Sequence, residues 1–318
     1  YFPHWFEDLK PGVVNVLGTF QENDLPEPDL VAQDLSTEEW REALRACKGM
    51  MLRQEVYELD VDALERGEHH PVKLFSTAYH NCHIQRLQAR GINPHAVFLV
   101  TESEAITYHY EMDLRSDDLL LDPRIAHTLN LNFDEYGNVL QAVAVVYPRL
   151  GQFEDSTLST DAVDMIRQVQ RETHLAYTET RFTNDVETAD SHRLRVPCEV
   201  LTYELTGISP EDTGDRSSSD PRDNRYFAID ELRRYRLSQV HQSTGEVVQD
   251  IPYHQLPNRT TPQKRLVEHA RTLFFKDEGL GLSDPLPFRQ LGRWGLVYEN
   301  YKLALTEDLL GSVFGARL

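Results

Sequence analysis

From Met50 to Arg149 the sequence runs with a period of two, and this feature most narrows what the chain can fold into. "AITYHYEM" sets Ile106, Tyr108 and Tyr110 against Thr107, His109 and Glu111. "TLNLNF" sets Leu129, Leu131 and Phe133 against Thr128, Asn130 and Asn132. Residues alternate across a strand, so each stretch predicts a strand with one apolar and one wet face. "DEYGN" follows, with Gly137 free to take positive φ, and then "VLQAVAVVY", which predicts a hairpin. "AVFLV" and "AITYHY" flank "TESE" and predict a second hairpin. About six strands fit between Met50 and Tyr147, and the short turns joining them imply an antiparallel meander. The fold class is therefore mainly β, a β-rich α+β chain with a few peripheral helices.

Helical periodicity appears in three places. "STEEWREALRACKG" carries a capping box, Ser36 as N-cap with Glu39 three residues on, and an apolar stripe of Trp40, Leu44 and Cys47. "STDAVDMIRQVQRET" places Val163, Ile166 and Val169 on one side. "TPQKRLVEHARTLFF" reads as a helix capped by Thr261, with Pro262 at its first position and Leu266, Ala270, Leu273 and Phe274 as its buried stripe. "CEVLTYELTG" returns to strand, and "WGLVYENYKLALT" is an aromatic-rich strand-like segment. Ser209 to Asn224 is almost free of apolar residues and reads as a solvated, disordered acidic loop. This divides the chain into an irregular segment and helix (1–48), an antiparallel meander (49–150) and a further β segment with helices (151–318).

The net charge of −20 argues against nucleic acid, which needs a basic face, and against anionic membrane. No apolar run approaches the roughly 18 residues of a membrane span. Three cysteines, Cys47, Cys82 and Cys198, are too few for a disulfide framework or a zinc ribbon. The chain opens at Tyr1 without Met and reads as a piece of a longer one.

Candidate chemistry is sparse. His69, His70, His80 and His83 cluster around Cys82; His80 and Cys82 would share a strand face and His83 would lie opposite, which is not a converging ligand set. Asp113, Asp117, Asp118 and Asp122 lack the glycine and closing glutamate of a calcium loop, and read as a solvated turn. Neither a nucleophile elbow nor a phosphate loop occurs; "GLG" at Gly279 to Gly281 reads as a turn, and Asn258-Arg259-Thr260 is a glycosylation sequon. Arg53 and Glu55 share one face of "RQEVYELD", while Arg124 and His127 open another strand. The architectural reading pairs Arg53 and Glu55 with opposite charges on a neighbouring strand, worth ~0.2–1 kcal/mol each. No residue is assigned a catalytic, cofactor-binding or metal-binding role.

The phrases "LRACKGMMLRQEVYELD", "HPVKLFSTAYHNCHIQRLQ", "HAVFLVTESEAITYHYEMD", "DPRIAHTLNLNFDEYGNVLQAVAVVYPR", "RLRVPCEVLTYELTG" and "KRLVEHARTLFFKD" through "YENYKLALTEDLL" stand in one order. Together, over residues 36 to 318, they resemble the segment following the β-propeller in the B subunit of bacterial insecticidal Tc toxin complexes, the TcdB/TcaC-like proteins with an SpvB-type region. The resemblance implies part of the wall of a hollow Rhs/YD-type β-shell that encapsulates a cytotoxic effector. It implies a secreted complex, with the toxin-complex C subunit as shell partner and cargo and the pore-forming A subunit reached through the propeller. It implies no enzyme, no cofactor and no membrane insertion. The competing expectation is a carbohydrate-binding or glycoside-active domain using Trp294 and Tyr298 as platforms, or acids between Asp113 and Asp122.

Overall fold

The computed structural model describes residues 22, 25–30, 34–67, 71–114, 122–149, 151, 153–210, 226–242, 244–278 and 285–317. The protein is 43% strand and 16% helix, and its strands pair mostly antiparallel, as the period of two predicts. It divides into two compact units. The first comprises Tyr1–Leu129, Val145–Thr173 and Pro210–Phe227; the second comprises Asn130–Ala144, His174–Ser209 and Ala228–Leu318.

In the first unit, β1 (Asp29–Leu30) runs parallel to β3 (Pro71–Gln88), and β2 (Arg53–Leu59) runs antiparallel to the same strand. β3 is antiparallel to β4 (Val97–Asp113), and β4 to β5 (Arg124–Phe133). Leu74, Ile84, Ile106, Tyr108, Ile125 and Leu129 form its buried apolar positions. Asn130–Ala144 belong to the second unit, and there β5 turns into β6 (Val139–Val146) through Asp134–Asn138, where Gly137 adopts φ 82°. The Asp134 carboxylate accepts from the Tyr136 and Asn138 N–H groups, so the predicted hairpin is closed by its own turn chemistry.

The helix α1 (Thr37–Ala46) carries the predicted capping box, with Glu39 N–H donating to Ser36 Oγ and Ser36 N–H donating to Glu39. Its buried face differs from the expected stripe. Trp40 and Leu44 are half exposed, while Glu39 and Ala43 are buried. Ala43 lets the helix approach Cys82 and Ile84, and the Glu39 carboxylate is satisfied by the Arg90 N–H, so the smaller and more polar face packs inward. The remaining helices are α2 (Val61–Glu65), α3 (Thr160–Gln170, capped by Ser159), α4 (Ile229–Arg233) and α5 (Glu307–Phe314).

In the second unit, β7 (His174–Phe182) is antiparallel to β10 (Pro197–Thr206), which is antiparallel to β14 (Gln263–Phe274). β13 (Gln249–Ile251) and β15 (Val297–Lys302) both pair with β14, parallel and antiparallel respectively. Two small ribbons, β8 (Val186–Glu187) with β9 (His192–Arg193) and β11 (Tyr235–Arg236) with β12 (Glu246–Val247), complete it.

Three sequence expectations are corrected. "TESE" is not a turn: β4 passes straight through it, because the stretch has no glycine or proline and Ser103 and Glu104 are buried. Among the described residues five strands, two of them long, therefore occupy the span given to about six. "TPQKRLVEHARTLFF" is the strand β14, not a helix. Its helical spacing is real, but its ladder to β10 overrides local preference, and the buried residues are Gln263, Lys264 and Phe274. At the mouth of that ladder Gly207 has φ +70°, and a Cβ there would lie 2.0 Å from the Thr261 carbonyl oxygen, so only glycine fits. The proposed loop at 209–224 falls almost wholly outside the described residues, as do His69, His70, Asp117, Asp118 and Gly279 to Gly281.

Candidate functional site

Three clusters of charged strand residues stand out. In the first unit, Arg53 and Glu55 pair with each other along β2 at 2.6 Å. Their cross-strand neighbours are Tyr79 and Thr77. Arg53 lies over the Tyr79 ring at 5.0 Å and 3.8 Å from Glu22. Glu22 also accepts from Thr77 Oγ1 and Tyr79 OH, each at 2.5 Å, and from Tyr110 OH. Tyr57 OH donates to Glu55 at 2.8 Å. Burial, reinforced by these carboxylates, pushes the Tyr57 and Tyr110 phenols far above their ordinary range, so at neutral pH they are hydrogen-bond donors and not bases.

The second cluster, also in the first unit, is a buried relay. Asn81 Nδ2 donates to Glu104 Oε1 at 3.1 Å, and His127 Nε2 lies 3.1 Å from Glu104 Oε2. His127 Nδ1 lies 3.0 Å from Tyr147 OH, which accepts from the Phe227 N–H at 2.9 Å. The tautomer that serves both contacts has Nε2–H donating to the carboxylate and Tyr147 OH donating to Nδ1. A Glu–His–Tyr series has the parts of an acid–base relay. Here Glu104 is 4%, His127 2% and Tyr147 4% exposed, and both Glu104 oxygens are engaged, so these groups meet one another and not solvent.

The third cluster, in the second unit, is the cross-strand charge array that the sequence placed at Arg53. Glu199 on β10 stands opposite Arg181 on β7 and Arg271 on β14. Arg181 reaches it at 3.0 Å, Arg271 at 2.7 Å and His269 at 2.6 Å. Burial opposes its ionisation, but the hydrogen bonds from Arg271 and His269 and the charge of Arg181 hold its carboxyl below the ordinary value. Arg181 continues to Glu179 at 2.8 Å, and Tyr177 OH, which donates to Glu179, accepts from Gln141.

Beside this array a cleft of about 700 Å³ is lined by His269, Arg271, Leu273, Phe288, Tyr301, Lys302 and Leu303 to Leu305. Its basic side chains already have partners: Glu199 for His269 and Arg271, and Glu268, at 2.7 Å, for Lys302.

The sequence candidates disperse. His80 contacts Glu102, His83 contacts Asp29, and the ladder slips between Asn81 and Cys82, which breaks the simple face alternation that grouped His80 with Cys82. Among the described residues no three His, Cys, Asp or Glu side chains are placed to hold a metal. Asp122 bonds Arg149 at 2.7 Å. Arg124 is exposed while His127 is buried. Tyr298 packs edge-on against Phe275, and the Trp294 ring lies under Arg293. Glu22, Glu104 and Glu199 were missed. A lone glutamate inside "VPCEVL" was the available signal for Glu199, but its partners lie 18 and 72 residues away. No helix among the described residues is long and apolar enough to cross a membrane.

Two carboxylates give α1 a pH-sensitive anchor. Glu39 accepts from the Arg90 and Ser36 N–H groups, which hold its carboxyl at about 2, and Glu42 is lowered by the Ala96 N–H and His95. The anchoring by Glu39 is complete above the ordinary 4.5 and lost as pH falls towards 2, and that by Glu42 is likewise lost only below its ordinary value. With Trp5 and Trp294 replaced by Phe, Trp40 fluorescence should report release of α1 in that window, and Glu39→Gln should remove most of the step. A step centred above 4.5, or one unchanged in the Gln variant, would contradict this anchor.

Residues 42–196 match the family model for the insecticide toxin TcdB middle/C-terminal region. Among solved structures, the fold is similar to that of the TcdB2-TccC3-Cdc42 crystal structure, at TM-score 0.58 and 18% identity over 96% of this chain. The TcdB2-TccC3 crystal structure matches at TM-score 0.57 and 17% identity over 97%. The Tc holotoxin pore of Photorhabdus luminescens matches at TM-score 0.55 and 16% identity over 98%. The chain spans 13% of the matched chain in the first two and 14% in the third. No curated protein matches the sequence.

Proposed function

We propose, taking the chain as the TcdB-like B-subunit segment that the match over residues 42–196 and the structural likenesses support, that it is a non-enzymatic part of the wall of a toxin-encapsulating shell. The observation that carries this reading is the disposition of its strand charges. Glu104 and Glu199 are buried in strands and spend their oxygens on neighbouring strands, so that side-chain ties join adjacent strands of the sheet. The C subunit is its partner in the wall and supplies the cargo; the A subunit is reached through the propeller of the longer chain. The complex acts after secretion. The carbohydrate reading has little support, since Trp294 and Tyr298 are occupied by Arg293 and Phe275.

The test uses the full-length B subunit co-expressed with its C subunit. Protease should leave the cytotoxic part of the C subunit intact in the wild-type complex and digest it when residues 36–318 are deleted. Continued protection of the cargo without this segment would sink the proposal.

A further inference from the structure

The geometry points to Cys47 and Cys82 as a site of reversible disulfide formation that covalently ties the C-terminal end of α1 to β3. Their Sγ atoms lie 3.5 Å apart, and both are free thiols. Cys82 is held in the apolar cluster of Ala43, Cys82 and Ile84, against which Leu30, Met50, Phe98 and Val100 pack. Cys47 is half-buried at the C-cap of α1, where it is the accessible member of the pair, and Gly49, at φ +97°, follows it closely. A helix end beside a glycine can move the short distance that bonding requires more readily than a strand interior can. The third cysteine, Cys198, is buried in the second unit against Val186, Phe274 and Leu291 and donates to the Arg181 carbonyl, so it has a different setting.

The oxidant is a low-molecular-weight disulfide such as oxidised glutathione. The Cys47 thiolate attacks one of its sulfurs, the small S–S bond breaks, and one small thiolate leaves and takes up a proton. The Cys82 thiolate then attacks Cys47 Sγ, forming the Cys47–Cys82 bond and releasing the second small thiol. Two protein thiols are oxidised and one small disulfide is reduced to two thiols. Burial pushes the Cys82 thiol up to about 12, which makes the second step slow at neutral pH and faster in mild alkali. The bond adds a covalent hold on α1 that, unlike the Glu39 and Glu42 anchors, does not depend on carboxylate ionisation.

The experiment equilibrates the whole chain in a glutathione redox buffer at mildly alkaline pH, then counts thiols after denaturation and maps linked peptides. The three free thiols should fall to one, Cys198, with a peptide joining Cys47 to Cys82 and no retained glutathione. The Cys47→Ser variant should keep both remaining thiols. Three persisting thiols, a stable glutathione adduct on Cys47 with Cys82 still free, or a linked peptide containing Cys198 would each overturn the inference.

Discussion

Glu199→Ala is expected to cost the second unit about 3–5 kcal/mol, because it removes the only buried acceptor shared by Arg181, His269 and Arg271 among the described residues. The loss is not that of one surface pair. The Glu199 side chain is 0% exposed and those of Arg181 and His269 are 23% and 17% exposed, so the groups left behind cannot simply return to water. Arg271, half exposed over Phe288, should contribute least to the penalty. The effect also has a defined pH dependence. The folded carboxyl titrates below its ordinary 4.5, so the stabilisation is complete above that value and is lost as pH falls through the lowered one. The gap between wild type and variant should therefore be widest near neutrality and close in acid. Denaturant unfolding at several pH values measures it; a gap below about 1 kcal/mol at neutral pH would show that water or other groups replace the carboxylate.

Glu104→Ala should destabilise the first unit by a similar amount, about 3–4 kcal/mol. It leaves the Asn81 amide and the His127 ring without their acceptor, inside a layer formed by Ile106, Ile125 and Leu129. His127 and Tyr147 act with Glu104 as one chain, so Glu104→Ala and His127→Ala should be strongly non-additive, with a coupling above about 1 kcal/mol. A fully additive double mutant would mean that the three side chains are merely neighbours. The same experiment separates this relay from a catalytic one, since a reactive triad would alter activity with little change in unfolding.

How far the sequence disclosed this structure depended on the range of the interaction concerned. The hairpin at Asp134–Asn138 was legible because Gly137 and Asp134 settle it locally. The capping box of α1 was legible for the same reason, yet its buried face was not, because Ala43 packs against residues of β3 some forty positions away. β14 misled because Leu266, Ala270, Leu273 and Phe274 satisfy a helical spacing as well as strand membership, and only the β10 ladder decides between them. The charge pair at Arg53 and Glu55 lies along one strand, and Glu22 and the tyrosines that surround it come from three other segments, which no local pattern announces. Cross-strand ion pairing did occur, at Glu199, where register and not composition brings two arginines to one glutamate. The TcdB resemblance carried over residues 42–196, and the mainly β fold it implied is the fold observed.

In the proposed shell wall, the buried charges of Glu104 and Glu199 hold the fold and do no chemistry. The most direct test of this places Glu104→Ala and Glu199→Ala, singly, in the full-length B subunit assembled with its C subunit, and measures thermal stability and protease protection of the cargo on the same samples. Protection should fall in step with melting temperature and recover when a stabilising osmolyte restores the fold. A variant that melts like wild type, still shields its cargo and yet abolishes toxicity would contradict that role, and would assign that glutamate to a reaction.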